Sequence, residues 1–195
     1  MKCIVGIGNY GSRYTHTRHN VGFEVLDIIL KGEPKKLALK WKKRDDLKAM
    51  IAPVSDEILL VKPLTFVNNT GEALAALLEE FSANHKDFLL VCDDVNLELG
   101  RLRFRAKGSA GGHHGLESVI EAWDSQDFLR LRIGVKNESM PQELAGFVLQ
   151  KFETDEKERI EKTLNQAAQA CNHWAKQGEK AAMNYLSRLP NLPDL

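Results

Sequence analysis

The sequence predicts a single α/β domain with a mixed, twisted sheet flanked by helices on both faces. Strand-like and helix-like segments alternate along the chain, two strands are joined as a hairpin, and no Pro-, Gly- or Ser-rich linker divides the 195 residues. Because hairpin strands are antiparallel, the sheet is expected to be mixed and not purely parallel. A chain of this length buries one sizeable core, so residues 1–195 are expected to form one domain.

The first third of the chain predicts a strand, a helix and a hairpin. Residues 1–7 are a short apolar run that stops at a glycine-rich turn, which is typical of a buried strand. Residues 20–30 carry apolar side chains at helical spacing. Residues 31–44 are basic and show no clear period. Two apolar runs separated by a short turn, residues 47–54 and 57–61, predict the hairpin.

The remaining elements continue the alternation. Residues 71–81 have Ala and Leu at helical spacing, residues 88–92 are a continuous apolar strand, and residues 115–123 form a short helix. Further strands are predicted at residues 128–135 and 147–149. The last helical region, residues 153–188, is broken near Gly178 and is expected to cover the sheet and the site.

Composition excludes several classes of protein. Basic and acidic residues balance at 27 each, which argues against a protein that coats nucleic acid without specificity. The three cysteines are far apart and form no CxxC pair, so neither a disulfide framework nor a sulfur-ligated zinc site is expected. No apolar run approaches the length of about 20 residues that crosses a bilayer. A cytoplasmic protein without a membrane segment is therefore predicted.

The segment GIGNYG at residues 6–11 matches the GxGxxG pattern of dinucleotide-binding turns. That function requires a helix directly after the glycines and an acidic residue at the end of a second strand. Residues 12–18 are instead polar and aperiodic, and Glu24 and Asp27 fall inside a predicted helix. Dinucleotide binding is therefore disfavoured. The sequence also lacks the GxxxxGK[ST], GxSxG and HExxH signatures of P-loop, serine-hydrolase and zincin chemistry.

Polar side chains gather at predicted loops and strand ends, where α/β folds carry their chemistry. They are Asn9, His19, Asn68, Asp93, His113 and His114. Each alone has an ordinary alternative, because a His before a helix is often structural and an Asp after a strand often caps a turn. Together they supply an imidazole that titrates near neutrality, a carboxylate that orients it and groups that hold a carbonyl. The set is sufficient for hydrolysis without a metal or a covalent intermediate.

Residues 101–115 predict an anion-binding surface. The segment RLRFRAK at 101–107 alternates strictly, so a strand places four cations on one face: Arg101, Arg103, Arg105 and Lys107. The loop GSAGGHHG at 108–115 allows close approach of a ligand to the backbone and opens a helix with free N–H groups. Phosphate is the expected partner, with a solvated strand face and a flexible turn as the alternatives. Arg130 and Arg132 either extend this surface or face elsewhere.

Five segments resemble the bacterial-type peptidyl-tRNA hydrolase family, and the similarity covers nearly the whole chain. They are VGIGN at 5–9 with Gly11 and Tyr14, TRHNVG at 17–22, PLTFVNNTG at 63–71, VCDD at 91–94 and GSAGGHHGL at 108–116. LRIGV at 131–135 and GFVL at 146–149 are similar as well. The order and spacing of five segments are far more specific than any one of them.

The resemblance implies a monomeric α/β enzyme that needs no cofactor and hydrolyses the ester between a peptide and the 3′-terminal ribose of tRNA. By position, His19 would be the general base that activates water and Asp93 its orienting partner. Asn9 and Asn68 would place substrate and water. The implied substrate-binding residues are Tyr14, Asn20, Val67, His113 and His114. The residues expected to bind tRNA are Arg103, Arg105, Lys107 and Arg132.

The sequence departs from the usual pattern of this family at three positions. Tyr10 stands where the family usually has Pro, Val67 where it has Met, and His114 where it has Asn. A neutral imidazole lacks the paired donor and acceptor of an amide, so the contacts of His114 to peptide or water are expected to differ. The loop at 137–143 is poor in basic residues where relatives contact tRNA, which leaves that task to the strand at 101–107.

Two other functions are compatible with the sequence. One is a non-catalytic RNA-binding relative of the same fold. The presence of Asn9, His19, Asn68 and Asp93 disfavours it, although retention of these residues does not by itself exclude such a relative. The other is a small-molecule esterase or nucleotide-binding enzyme, for which the basic strand would be incidental. Release of tRNA from a blocked substrate distinguishes these functions.

Overall fold

A mixed sheet runs through the computed structural model, which describes residues 1–34 and 38–189. Within those residues, seven strands lie in the order β2-β3-β4-β1-β5-β7-β6. The strands are β1 Lys2–Gly6, β2 Lys42–Arg44, β3 Ala49–Ser55, β4 Ile58–Pro63, β5 Phe88–Glu98, β6 Leu102–Arg105 and β7 Leu129–Lys136. β1 pairs in parallel with β4 and β5, and β5 with β7, whereas the other pairs are antiparallel. The predicted mixed sheet, with its hairpin, is confirmed.

Helices pack on both faces of this sheet, as predicted. They are α1 Val21–Gly32, α2 Thr70–Glu80, α3 His114–Trp123, α4 Leu144–Val148, α5 Lys157–Gln177 and α6 Glu179–Ser187. Side chains of a strand alternate between the two faces. Ile4 of β1 therefore lies in the core formed with α1 and α5, while Cys3 and Val5 lie in the core formed with α2 and α3. The two cores exclude water from both faces of the sheet.

Two glycines bring α1 close to the strands that carry the site. A Cβ on Gly22 would lie 2.4 Å from the carbonyl oxygen of Val91, and a Cβ on Gly6 would lie 2.4 Å from that of Gly22. Neither position has room for a side chain, so α1 approaches β1 and β5 at backbone distance. Gly6, the first glycine of the GxGxxG-like segment, therefore serves helix packing. The turn before α1 is thereby held beside β5.

One predicted strand was wrong. Residues 147–149 do not extend the sheet, because the segment Leu144–Val148 forms the short helix α4. The carboxylate of Glu143 accepts hydrogen bonds from the backbone N–H groups of Ala145 and Gly146 and thereby starts the helix. A run of three apolar residues is compatible with either a strand or a helix, so the sequence pattern alone did not distinguish them.

The sheet is also more extensive than predicted. β5 continues past residue 92 to Glu98, so Asp93 and Asp94 lie within a strand and not after it. Both carboxylates are buried, and strand signals based on apolar residues miss such positions. The edge strand β2 lies in the aperiodic basic segment 31–44, of which residues 35–37 fall outside the described residues.

The last two described helices cover one face of the sheet. α5 packs against α1 and contacts β1 and β7, and α6 contacts β6. The two helices meet at Gly178, whose φ of 88° favours glycine. The three cysteines are buried and unpaired, and burial raises the pKa of the Cys3 and Cys92 thiols to about 12. No helix in the described part of the chain has both the length and the apolar character to span a membrane.

Candidate active site

Three polar side chains from separate elements meet beside the end of β1. His19 lies in the 3₁₀ turn Arg18–Asn20 that precedes α1, Asp93 lies in β5, and His113 is the residue that caps α3. β1 and β5 are adjacent parallel strands, and their carboxyl ends form the edge at which α/β folds place binding sites. The structure thus brings together three of the residues that the sequence singled out.

His19 and Asp93 form a short hydrogen bond. The Nδ1 atom of His19 lies 2.7 Å from Oδ1 of Asp93, whose side chain is only 2% exposed. A buried carboxylate accepts hydrogen bonds, so Nδ1 of His19 carries the proton. The Nε2 atom of His19 has no partner among the described residues, and in the neutral ring its lone pair is free.

His113 supplies the second hydrogen bond to the same oxygen. Its Nδ1 accepts from the backbone N–H groups of Gly115 and Leu116, at 3.1 and 3.3 Å. A nitrogen that accepts carries no proton, so the proton of the neutral ring lies on Nε2. That Nε2 is 3.2 Å from Oδ1 of Asp93 and donates to it. The sequence indicated that His113 belongs to the glycine loop, but it did not reveal this role as a helix cap and partner of Asp93.

The environment shifts the pKa values of both members of the His19–Asp93 pair. Burial opposes ionisation of Asp93, but His19 and His113 outweigh it, through their positive charge when protonated and through their hydrogen bonds, and hold the Asp93 pKa far below its usual range. For His19, burial lowers the pKa, whereas the charge and the hydrogen bond of Asp93 outweigh it and raise the pKa above its ordinary value. Asp93 is therefore ionised at neutral pH and strengthens His19 as a base.

The same three residues offer ligand atoms for a metal ion, all within 4.8 Å of one another. Metal binding through Nε2 of His113 would remove the proton from that atom while Nδ1 still accepts two backbone N–H groups. The ring would then have to be an imidazolate, which is far more basic than a neutral imidazole. The hydrogen bonds of His113 therefore fit a proton-holding cluster better than a metal site.

Two asparagines lock the turn that follows β1. The side-chain amide of Asn20 accepts from the backbone N–H of Asn9 at 2.8 Å and donates to its carbonyl at 2.9 Å. Oδ1 of Asn9 accepts from the backbone N–H of Val67 at 3.1 Å. Asn20 thus fixes the position of Asn9, and Nδ2 of Asn9 has no partner in the described chain. Asn68 is exposed and its side-chain amide has no described partner either.

A cavity opens beside the His19–Asp93 pair. Its apolar wall is α4, through Leu144, Ala145 and Val148, and its other side is the glycine loop. Among the described residues that line it, none comes from α5 or α6. His114 lines the cavity, but its Nδ1 is 2.8 Å from Glu117 at the surface. Tyr14 is not among the lining residues, and its ring packs under the guanidinium of Arg13.

A second, basic cavity adjoins the first. It is lined by Asp94, Asn96, Arg103, Arg105, Lys107, Gly108, Ser109, Gly111, Arg130 and Arg132. In the β6–β7 ladder, Arg103 lies opposite Arg132 and Arg105 opposite Arg130, so all four point to the same face. Arg103, Arg105 and Lys107 are exposed. Asp94, Gly111 and Arg132 line both cavities, so the basic surface leads directly to the His19–Asp93 pair.

Arg130 and Arg132 are occupied by the protein itself. Arg130 is 1% exposed and donates to the carbonyl oxygens of Gly108 and Ser109 at 2.6 and 3.1 Å. Arg132 donates to the carbonyls of Ser109 and Ala110 and pairs with the buried carboxylate of Asp94 at 3.1 Å. These two guanidinium groups hold the glycine loop in place. The alternation of Arg with apolar residues along β7 places both guanidinium groups on one face of the sheet. Their burial there explains why they contact the glycine loop.

Comparison with known proteins identifies the family. A family model described as peptidyl-tRNA hydrolase matches residues 3–192. The chain belongs to the peptidyl-tRNA hydrolase family. Two similar proteins are the peptidyl-tRNA hydrolases of Chlorobium phaeovibrioides and Staphylococcus aureus. The first is 40% identical over 197 aligned residues, covering 96% of this chain and 98% of the relative. The second is 41% identical over 170 residues, covering 87% and 88%.

The fold of this chain is also similar to that of a solved structure. A crystal structure of peptidyl-tRNA hydrolase from Acinetobacter baumannii superimposes with a TM-score of 0.86 at 24% identity. The match covers 96% of this chain and 95% of that chain. The architecture is thus common to the family at low sequence identity.

Proposed function

We propose that this chain is a peptidyl-tRNA hydrolase in which His19 is the general base. The observation that carries the proposal is the division of labour between the two nitrogens of His19: Nδ1–H donates to the ionised Asp93, and Nε2 is left free beside the cavity. Membership of the family supplies the substrate class, an ester between a peptide and tRNA.

The reaction requires no group beyond these side chains and water. Nε2 of His19 takes a proton from water, and the resulting hydroxide attacks the ester carbonyl carbon. We propose that the amides of Asn9 and Asn68 donate hydrogen bonds to the negative charge that develops on the carbonyl oxygen, because the Nδ2 atoms of both have no other partner among the described residues. When the C–O bond to the ribose breaks, the imidazolium of His19 returns the proton to the leaving oxygen. Asp93 stabilises the imidazolium between these two steps.

The basic cavity supports binding of the tRNA backbone. Arg103, Arg105 and Lys107 project from one face of β6 and the loop after it, with their charges exposed to phosphate. Arg132, which the sequence grouped with them, acts in this proposal through the glycine loop that it holds. The RNA-binding relative without activity is the less favoured function, because the His19–Asp93–His113 cluster would have no use in it.

We also propose that the enzyme works as a single-domain monomer in the cytoplasm. Both cores of the sheet are closed by helices of the same chain, which supports a monomer. The three unpaired buried cysteines suit a reducing compartment.

The test measures release of tRNA from N-acetylated aminoacyl-tRNA, beside unblocked aminoacyl-tRNA, with a chelator present. Wild type is expected to cleave the blocked substrate, and His19→Ala to lose about 10²- to 10⁴-fold in rate, the usual contribution of a general base. His16→Ala, an exposed histidine outside the cavity, is the matched control. Tight tRNA binding without cleavage by wild type would indicate the RNA-binding relative. Cleavage of a simple ester that tRNA does not inhibit would indicate a small-molecule esterase.

A further inference from the structure

A buried ion pair is formed by the residue that precedes the proposed general base. Arg18, the residue before His19, is 1% exposed, and its Nη2 donates to Oε2 of Glu156 at 2.8 Å. Glu156 is 6% exposed. The guanidinium lies over two aromatic rings, 4.5 Å from the centroid of Phe147 and 4.7 Å from that of Phe152. The pair thus connects the turn before α1 to the start of α5, far away in sequence.

Glu156 collects hydrogen bonds from two further segments. Its Oε2 also accepts from the backbone N–H of Glu153 at 2.6 Å, and its Oε1 accepts from the side-chain amide of Asn137 at 2.8 Å. Burial opposes ionisation of Glu156, but these hydrogen bonds and that of Arg18 outweigh it and lower the Glu156 pKa. One carboxylate therefore fixes the end of β7, the start of α5 and the turn of His19 relative to one another.

Backbone contacts join the same turn to the segment that walls the cavity. The N–H of Arg18 donates to the carbonyl of Gln150 at 3.0 Å, and Thr17 forms an isolated β-bridge with Lys151. Phe147, whose ring packs on Arg18, belongs to α4, which forms the apolar wall of the cavity. The position of this wall and the direction of His19 are thus set by the same few contacts.

Stability alone does not account for this arrangement. Apolar side chains of similar size often stabilise a protein as well as a buried ion pair or better, because removing two charges from water is costly. Arg18 is also incompletely satisfied, since its buried Nε and Nη1 have no partner within the described residues. What Glu156 adds over apolar packing is a set of directional hydrogen bonds, because its two oxygens accept from Arg18, Glu153 and Asn137 at once.

We propose that Arg18 and Glu156 are a positioning pair, which holds His19 and the α4 wall of the cavity in the geometry that the reaction needs. The proposal rests on the proposed function, with His19 as the base. Neither residue lines the cavity, so both act through other residues. Small errors in the position of a reacting group cost large factors in rate, which makes kcat the sensitive quantity.

The test compares single variants with a double variant. Arg18→Met and Glu156→Gln each leave one buried group without its charged partner, so both are expected to lower stability and kcat. The double variant, Arg18→Met with Glu156→Gln, leaves no unpaired charge and is expected to recover the urea midpoint of unfolding. Its kcat is expected to stay reduced by about 10- to 100-fold, since misplacement costs factors of that order, with KM within about threefold of wild type. A purely structural pair would recover kcat together with stability.

A conservative variant keeps the proposal testable if the double variant does not fold. Glu156→Asp retains the charge but shortens the side chain by one methylene, so it is expected to fold and to lower kcat with little change in KM. Wild-type kcat in this variant would overturn the proposal. The matched control removes an exposed ion pair, Lys48→Met with Glu72→Gln, whose side chains are 55% and 52% exposed. It is expected to change neither stability nor kcat.

Failure of this proposal is distinct from failure of the proposed function. If wild type releases no tRNA, the proposed function is wrong, and the positioning role falls with it. If wild type is active and the folded double variant has the wild-type kcat, His19 keeps its role and the positioning role is wrong.

Discussion

The cluster of His19, Asp93 and His113 and the basic face of β6 lie side by side, but they are built differently. In the cluster, Asp93 is buried and its Oδ1 accepts hydrogen bonds from both imidazoles. On the basic face, Arg103, Arg105 and Lys107 are exposed. The first region is arranged before substrate arrives, whereas the second presents exposed cations to a phosphate backbone.

This difference in burial suits the cluster to catalysis and the basic face to tRNA binding. A prearranged buried cluster acts on the transition state, so damage to it lowers kcat and depends little on salt. Exposed cations act through phosphate contacts, so their loss weakens binding in a salt-dependent way. Arg132 is the residue that distinguishes the two regions least clearly. The sequence analysis placed it with the exposed tRNA-binding cations, but its side chain is buried like those of the cluster.

The largest effect is expected for Asp93→Asn. Asparagine removes the negative charge that orients His19 and stabilises its protonated form, so kcat is expected to fall by about 10²- to 10⁴-fold. Single-turnover cleavage of N-acetylated aminoacyl-tRNA measures this change, with Asp127→Asn at the surface as the control. A loss confined to KM would mean that Asp93 serves binding, and the contrast between the two regions would fail.

Arg132→Met is expected to affect stability more than tRNA affinity. The change leaves Asp94 as a buried carboxylate without its partner, which typically costs about 3–5 kcal/mol. Arg105→Met, on the exposed neighbouring strand, is expected to change stability by no more than about 0.5 kcal/mol. Urea denaturation of both variants measures the difference. Equal stability of the two would return Arg132 to the tRNA-binding group.

Arg103→Ala and Arg105→Ala are expected to act on binding alone. Each lost phosphate contact reduces the slope of log affinity against log salt by about one and weakens binding to different tRNAs alike. The rate at saturating substrate should stay at the wild-type level. Filter binding across a salt series gives the slope, and Lys48→Ala, away from both cavities, is the control. A slope that does not change would exclude β6 from the tRNA interface.

The smallest effect is a shift of the pH profile. His19 must be neutral to act as a base, so kcat/KM is expected to rise with pH through an inflection above about 6.5, because Asp93 raises the His19 pKa. In Asp93→Asn, burial remains and the charge is gone, so the inflection of the residual activity should move to lower pH. An unchanged inflection would indicate that another group titrates.

The same pKa shifts set the pH dependence of stability. The raised His19 pKa contributes stability that is complete below the pKa of the unfolded chain and is lost as pH rises through the folded value. The lowered Asp93 pKa contributes stability above the unfolded carboxyl pKa, which is lost as the solution becomes acidic. The stability attributable to the pair is therefore greatest between these two limits.

Much of the fold was predictable because its signals are local. Apolar runs and helical spacing gave the mixed sheet, its hairpin and the helices on both faces. The exceptions have physical causes. Residues 147–149 are too few to show a period, and the helix there starts at Glu143, whose cap depends on a side-chain geometry. β5 passes through Asp93 because buried partners neutralise a residue that strands usually exclude.

The sequence by itself determined where strands, helices and reactive side chains occur, and the spacing of five segments was sufficient to indicate the family. Tertiary structure decided which groups meet. The hydrogen bond of Asp93 to His19 spans 74 positions and that of Arg132 to Asp94 spans 38, and no local pattern encodes such pairings. They form because a buried charge must find a partner, and the fold alone brings one within reach.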